Sequence, residues 1–413
     1  MRALAVLVTV AGLVPLQLSA AAAAPAEGPQ PTIAAVSAAD ASVHPSATSL
    51  KIRQISAGGS FTCALTASRA VKCWGENQDG ELGDGTTTER HSPTSVVGLG
   101  AGVKAVSSGY DHACAITGAG AVVCWGSNSD GQLGDGTQTD RHVPVQVSAL
   151  TSGVKAVSAG GFYSCAITAA GAVECWGDNL FGGLGDGTTE PRSTPVQVIG
   201  LTSGVKAIAT SSDATCAITS AGAVKCWGWN ESGQLGNGTK TDSAVPVPVV
   251  GLSKGVKAIA GGESFFCAIT SAGAVKCWGS SFAGQLGNGS RGDRSTPVQV
   301  KGLTKKVRAI ATGTFHACAV THSGAAKCWG SNGQTFEDGP YGQLGNGSRV
   351  DRSTPASVKG LGKGVRSLTA GEAHTCALTS AGGVRCWGNN TSGQLGDRTT
   401  KTRFTQVRVY GLR

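Results

Sequence analysis

Fourteen cysteines fall into seven pairs, and nine residues separate the two members of every pair. The second pair reads Cys114-Ala115-Ile116-Thr117-Gly118-Ala119-Gly120-Ala121-Val122-Val123-Cys124-Trp125-Gly126, and every second cysteine is followed by Trp-Gly. The other pairs are Cys63 with Cys73, Cys165 with Cys175, Cys216 with Cys226, Cys267 with Cys277, Cys318 with Cys328 and Cys376 with Cys386. Six copies recur every 51 residues and the seventh arrives seven residues late. A fixed period of this length marks a repeat architecture, in which each unit buries its apolar face against its neighbours. Units begin near residues 51, 102, 153, 204, 255, 306 and 364, and together span 51–413.

Within the second unit, residues 103–107 alternate as a short, small-residue strand A. Residues 113–117 and 121–125 form strands B and C around a glycine-containing turn, and 143–147, beginning Val-Pro, form strand D. Four short strands with turns between them make an antiparallel sheet. Such a sheet cannot bury both faces alone, but a ring of seven can, so an all-β, seven-bladed β-propeller is expected. Strand A is poor enough in bulk to line the crowded axis. Strand D carries Pro144, Pro195, Pro246, Pro297 or Pro355, as an edge strand tolerates, and so lies outermost. The two cysteines of a pair are equidistant from the B–C turn. Directly opposed positions bring Cα atoms to about 4.5–5.5 Å, within reach of a disulfide, so seven local bridges are expected. Zinc would ask for tighter Cys spacing, and no metal is expected. Cys124 and Trp125, being adjacent, point to opposite faces of the blade.

The N-terminus reads as a signal peptide over residues 1–24: Arg2, an apolar run to Leu18, then small residues to Ala24. Residues 25–50 are Ala/Pro/Ser-rich and read as a flexible linker, with one possible strand at 32–36 that could add to a terminal blade. Whole blades are the preferred closure. A secreted, periplasmic or cell-envelope location follows, in keeping with paired cysteines. No stretch is long enough to span a membrane. The net charge is +9, and basic residues such as Lys104, Lys155, Lys206 and Lys257 recur with the repeat, as on a solvated face. No nucleic-acid footprint is expected, and a monomer is.

The seventh unit carries Gly371-Glu372-Ala373-His374-Thr375-Cys376-Ala377-Leu378-Thr379 and, from Trp387, Trp-Gly-Asn-Asn-Thr-Ser-Gly-Gln-Leu-Gly. This resembles the regulator of chromosome condensation repeat family, whose members build seven-bladed propellers. The likeness runs from about Lys51 to Arg413 and recurs in every unit. The chain departs from it in its paired cysteines and in keeping the family histidine only at His112, His316 and His374; Phe61, Tyr163, Ala214 and Phe265 stand elsewhere.

Comparing the seven copies, the A–B loop and the first part of the C–D loop vary while the B–C turn hardly changes. Both variable loops emerge at one end of an up-and-down sheet, so variation is confined to one face of the disc. Aromatics concentrate there, as at interface centres. The candidate binding residues are Tyr110, Phe162, Tyr163, Phe181, Trp229, Phe265, Phe282, Phe315, Phe336 and Tyr341, the last two in the insertion that breaks the period. The competing expectation is that such rings plug the channel or pack between blades. The histidines are scattered, and no catalytic constellation, phosphate loop or calcium loop can be assembled. The Gly-Asp-Gly and Gly-Asn-Gly segments read as turns. Arg291-Gly292-Asp293 falls where other units carry Thr-Asp or Val-Asp, and reads as coincidence. No cofactor and no enzyme activity are expected. The leading expectation is an exported, non-catalytic scaffold gripping a protein, as an enzyme inhibitor might, similar in architecture to a secreted β-lactamase-inhibiting propeller. The family resemblance implies guanine-nucleotide exchange as an alternative, and a glycan-acting propeller enzyme is a third.

Overall fold

The structure is a computed structural model and describes residues 50–333 and 341–412. The leader, residues 25–49 of the linker with its candidate strand, and Phe336 lie outside the described residues. Among the described residues are twenty-eight strands in seven antiparallel sheets of four. In the first blade, strands A to D are Ile52–Ala57, Phe61–Thr66, Val71–Gly75 and Arg90–Ser95, hydrogen-bonded in that order. In the second they are Ala105–Ser108, His112–Ile116, Val122–Gly126 and Arg141–Gln146. Strand D starts two residues earlier than its Val-Pro suggests, because Arg141 pairs with Gly126 beyond a register shift in the C–D ladder.

The A strands touch one another around the axis, from the first blade to the seventh (Val365–Ala370) and back. Their small hydroxyls tie neighbours together. Ser108 N donates to Ser56 Oγ over 2.9 Å, Ala159 N to Ser107 Oγ over 3.0 Å, and across the seam Ala57 N to Thr369 Oγ1 over 2.9 Å. Ala, Ser and Thr dominate strand A because only short side chains allow this approach.

All seven expected bridges are formed, one within each blade. Cys63 is joined to Cys73, Cys114 to Cys124, Cys165 to Cys175 and Cys216 to Cys226. Cys267 is joined to Cys277, Cys318 to Cys328 and Cys376 to Cys386. In every case the partners are directly opposed in the B–C register. Their Cα atoms are 4.0–4.1 Å apart, somewhat closer than the spacing expected of an unbridged antiparallel pair. No cysteine is left free.

Each bridge faces the next blade and shares a buried cluster with that blade's tryptophan. Cys63 and Cys73 pack with Trp125, Cys114 and Cys124 with Trp176, and Cys165 and Cys175 with Trp227. Cys216 and Cys226 pack with Trp278, Cys267 and Cys277 with Trp329, and Cys318 and Cys328 with Trp387. Cys376 and Cys386 return to Trp74 in the first blade. The indole nitrogens then staple the blades. Trp125 Nε1 donates to Glu81 O over 2.8 Å and Trp176 Nε1 to Gln132 O over 2.8 Å, and the same bond repeats around the ring. Trp74 Nε1, bonded to Gln394 O at 2.9 Å, makes it between the first blade and the seventh. The glycine after each tryptophan is obligatory. Gly126 sits at φ 104°, and a Cβ there would lie 2.5 Å from Asp111 O.

The first residue of strand B, where the family histidine belongs, reaches into the following blade. His112 Nε2 meets Ser164 Oγ at 2.8 Å, His316 Nε2 meets Thr375 Oγ1 at 2.8 Å, and His374 Nε2 meets Thr62 Oγ1 at 2.9 Å. Tyr163 donates its hydroxyl to Ala214 O over 2.6 Å and lies 2.9 Å from Thr215 Oγ1. The remaining interfaces match apolar partners: Phe61 precedes Ala113, Phe265 precedes Ala317, and the small Ala214 precedes Phe266. Burial pushes the three imidazoles well below the usual range, to about 3 for His112 and His316 and about 4 for His374. Their Nδ1 atoms are buried without a protein partner.

The ring closes with whole blades. Besides the bonds above, Leu50 N donates to Gly411 O at 3.5 Å, and Leu50 forms an isolated parallel bridge with Leu412.

Candidate functional site: the loop face

The A–B loops and the starts of the C–D loops meet at one end of the disc. Glu76 N bonds Ser60 O at 3.0 Å, Ser127 N bonds Asp111 O at 2.9 Å, and Trp229 N bonds Asp213 O at 3.0 Å. Neighbouring A–B loops also join by their backbones: Glu372 N to Gly59 O, Gly59 N to Tyr110 O, Tyr110 N to Gly160 O, and Ser212 N to Glu263 O. They rim an axial funnel of about 100 Å³ lined mostly by glycine and other small residues. Six of the seven C–D loops are held by the asparagine of a Trp-Gly-x-Asn segment. Asn128 accepts from Leu133 N at 2.9 Å and donates to Thr139 O at 3.0 Å, and Ser281 replaces it in the fifth blade. The Gly-Asp-Gly aspartates are turn residues, as expected. Burial alone would raise the Asp84 carboxyl, but hydrogen bonds from Thr86 and Arg90 outweigh it and hold it below the usual range. Asp293 of the Arg-Gly-Asp segment accepts from Ser281 N at 2.9 Å, which gives it a structural task in the loop.

The A–B loops and the C–D loops as far as their Leu-Gly contain no Lys or Arg. Among the described residues they contain Glu76, Asp79, Glu81, Asp111, Asp130, Asp178, Asp213, Glu231, Glu263 and Glu372. Crowding and burial hold several of these carboxyls protonated to unusually high pH. Burial, with Asp79 and Asp111 adding repulsion, pushes Glu81 up to about 8. Burial with Glu76, Asp79 and Glu372 pushes Asp111 to about 7. Burial with Asp213 and Glu372 pushes Glu263 to about 7, and burial with Asp178 pushes Asp213 to about 6. Oxygen atoms of Glu76, Glu81 and Asp111 all lie within 4.8 Å of one another. Tyr110 is raised as well, by burial and then by Glu372.

Six of the ten candidate aromatics form three pairs across blade boundaries. Tyr110 and Phe162 have centroids 6.3 Å apart, Phe181 and Trp229 5.6 Å, and Phe282 and Phe315 4.9 Å in an edge-on arrangement. Phe162 is 43 % exposed, Phe282 42 % and the neighbouring Leu180 66 %. Tyr341 is half-buried at the end of the insertion. Two expectations are corrected. Tyr163 and Phe265 occupy the family-histidine position, are buried at 1 % and 0 %, and serve the blade interfaces rather than the surface. Their signal was present in the sequence, because an aromatic ring or histidine in one unit is matched by a hydroxyl or alanine in the next. The charge segregation was also missed. It is readable by sorting Asp, Glu, Lys and Arg loop by loop.

The RCC1-like domain profile matches residues 28–307, and the regulator of chromosome condensation (RCC1) repeat matches 307–335, 365–394 and 328–378. The chain belongs to the RCC1-repeat family. It is 33 % identical over 353 residues to the ultraviolet-B receptor UVR8 of Arabidopsis thaliana, covering 84 % of this chain and 79 % of that protein. It is 33 % identical over 342 residues to the human E3 ubiquitin-protein ligase HERC2, covering 80 % of this chain but 7 % of HERC2. Among solved structures, human WBSCR16 superposes with a TM-score of 0.68 at 26 % identity, covering 80 % of this chain and 87 % of that one. Yeast RCC1 (Prp20), in its complex with Kap60, superposes at 0.71 with 21 % identity, covering 87 % and 85 %, and shows the shared fold. In this member of the family a disulfide stands behind every indole.

Proposed function

We propose that this chain is a non-catalytic, exported scaffold whose loop face docks a protein partner. One observation carries the reading: three inter-blade aromatic pairs stand among ten acidic residues of the A–B loops and the C–D loops as far as Leu-Gly, segments that themselves contain no Lys or Arg. Aromatic anchors supply contact area at interface centres, and a one-signed rim selects the partner and speeds encounter. The partner surface that fits is rich in Lys and Arg around apolar or aromatic side chains. Seven bridged cysteine pairs favour an oxidising compartment.

The test is capture with the oxidised protein beside a variant carrying Phe162, Phe181, Trp229 and Phe282 changed to Ala. The captured partner is then purified and titrated against both. A loss of affinity of at least about tenfold in the folded variant supports the reading, since such anchors contribute 2 kcal/mol or more at roughly this scale. Equal affinity for both proteins would overturn it. Identical capture after removal of the whole propeller would assign binding to another part of the chain.

A further inference from the structure

The connections at the end of the disc opposite the A–B loops are one-signed, with the sign of those loops reversed. That end is built from the B–C turns and the D–A connections, which run side by side: Val103 N bonds Arg69 O at 3.0 Å, and Ser220 N bonds Gly204 O at 2.6 Å. No Asp or Glu occurs in any of these segments. At the start of every innermost strand stands one exposed cation, forming a ring of seven: Arg53, Lys104, Lys155, Lys206, Lys257, Arg308 and Arg366. Lys254, Lys305, Lys306 and Lys363 lie beside them in the connections, exposed too. Some of these groups bond backbone carbonyls of the same face. Arg53 Nε donates to Ala67 O at 3.3 Å, and Lys206 Nζ donates to Ser220 O at 2.5 Å. Among the described residues no carboxylate pairs with them. A recurring cation that looked like ordinary solvation along the sequence is gathered by the sevenfold fold onto one surface.

The same connections also expose apolar side chains immediately after strand D. Val97 is 49 % exposed, Ile199 51 %, Val250 49 % and Tyr410 49 %, the last packed at the outer rim under Arg398 of the seventh C–D loop, 3.2 Å above its ring. In the equivalent positions of other blades stand Lys301 and Lys359. Cations thus circle the axis while apolar groups and further cations mark the rim.

We propose that this face rests on an anionic lipid surface. Binding of a peripheral protein to a bilayer combines electrostatic attraction to acidic headgroups with shallow insertion of apolar side chains. The cations supply the first over a broad face, and Val97, Ile199 and Val250 supply the second at its outer rim, where their backbones bond the C–D loops. A single-stranded nucleic acid would be served by aromatic platforms along a cationic track. Tyr410 is the only aromatic residue in these segments. Seated this way, the disc turns its acidic, aromatic loop face away from the lipid.

The experiment is co-sedimentation of the full chain with vesicles of phosphatidylcholine containing phosphatidylglycerol, against vesicles of phosphatidylcholine alone. Three proteins are compared: the unaltered chain, a variant with Lys104, Lys155, Lys206 and Lys257 changed to Gln, and one with the same four changed to Glu. The N-terminal apolar run is common to all three, so differences between them report on the disc. The unaltered protein is expected to prefer anionic vesicles and to release them as salt rises. The Gln variant should lose at least about tenfold, and the Glu variant at least about a hundredfold, in partitioning. A Val97→Ser, Ile199→Ser, Val250→Ser variant should weaken binding in a manner that salt does not mimic. Near-ultraviolet circular dichroism and a thiol count establish that each variant is folded and bridged. Equal partitioning of folded Gln and unaltered proteins, or no preference for anionic vesicles at low salt, would overturn the proposal. So would capture by DNA or heparin with no capture by vesicles, which would reassign the face to a soluble polyanion.

Discussion

The indole of Trp74 in the first blade donates to the carbonyl of Gln394 in the seventh over 2.9 Å, across 320 residues of sequence. The same bond joins every other pair of neighbours, so the seam where the ring closes is built like the six interfaces within the chain. Trp74→Phe keeps most of the buried area and leaves the Gln394 carbonyl only its bond from Thr62 Oγ1, at 3.0 Å, so it is expected to lower stability by about 1 kcal/mol. Trp227→Phe should lower it equally. Urea unfolding of both checks this, and a harmless Trp74→Phe beside a damaging Trp227→Phe would mean that the seam is open in solution.

The strand-B residues form matched sets with the following blade, polar with polar and apolar with apolar. Phe265→His alone places an imidazole against Ala317 with nothing to bond. It is expected to destabilise by about 2–4 kcal/mol, from lost packing and an unpaired buried polar group. Adding Ala317→Ser recreates the pair seen between His112 and Ser164. A double-mutant cycle should return a favourable coupling of about 0.5–2 kcal/mol; additivity would contradict the pairing.

Acid should loosen the interfaces that use histidine. His112, His316 and His374 titrate near 6.5 when unfolded but at about 3 to 4 when folded, because burial excludes the charged form. The unfolded chain therefore binds more protons between those values, and stability falls as pH drops from about 6.5 toward 3–4. Each imidazole adds up to about 1.4 kcal/mol per pH unit. Denaturation measured across this range should lose part of its slope in the His112→Phe, Ser164→Ala protein, which copies the Phe61 and Ala113 interface.

Glu81 works in the opposite direction. It stands where most other units have glutamine, and its Oε2 accepts from Asp79 N at 3.0 Å just as Gln132 Oε1 accepts from Asp130 N at 2.9 Å. Its folded value of about 8 lies above the unfolded one, so its contribution is complete below about 4.3 and is lost as pH rises through 8. Glu81→Gln is expected to stabilise the protein at pH 8.5 by about 1–3 kcal/mol, less than the full shift implies because Asp111 and Glu76 share the same titration. At pH 4 it should change little. Equal effects at both values would place the carboxyl outside the cluster.

Much of the architecture is legible in the sequence because the repeat displays each local rule seven times. Equidistant cysteines fix the B–C register, Pro144 and its equivalents mark the outer strand, and Cys124 beside Trp125 implies one group for each face. What escapes is whatever depends on which units become neighbours. Tyr163 and Phe265 look like surface aromatics until the hydroxyl or alanine of the next blade is set against them. Charge escaped for the same reason. Lys104 and Lys155 are 51 residues apart in the chain, and only the ring puts them on one surface.

Every disulfide, from Cys63 with Cys73 through Cys165 with Cys175 to Cys376 with Cys386, joins two strands of a single hairpin, and none joins two blades. Fourteen cysteines could pair in on the order of 10⁵ ways. Here the correct partner is always the next cysteine to emerge in synthesis, so oxidation can follow the growing chain hairpin by hairpin without a search among distant thiols. Gain or loss of one repeat would bring or remove its own bridge and leave every other pairing intact, so a lineage can vary the number of blades without ever scrambling its covalent framework.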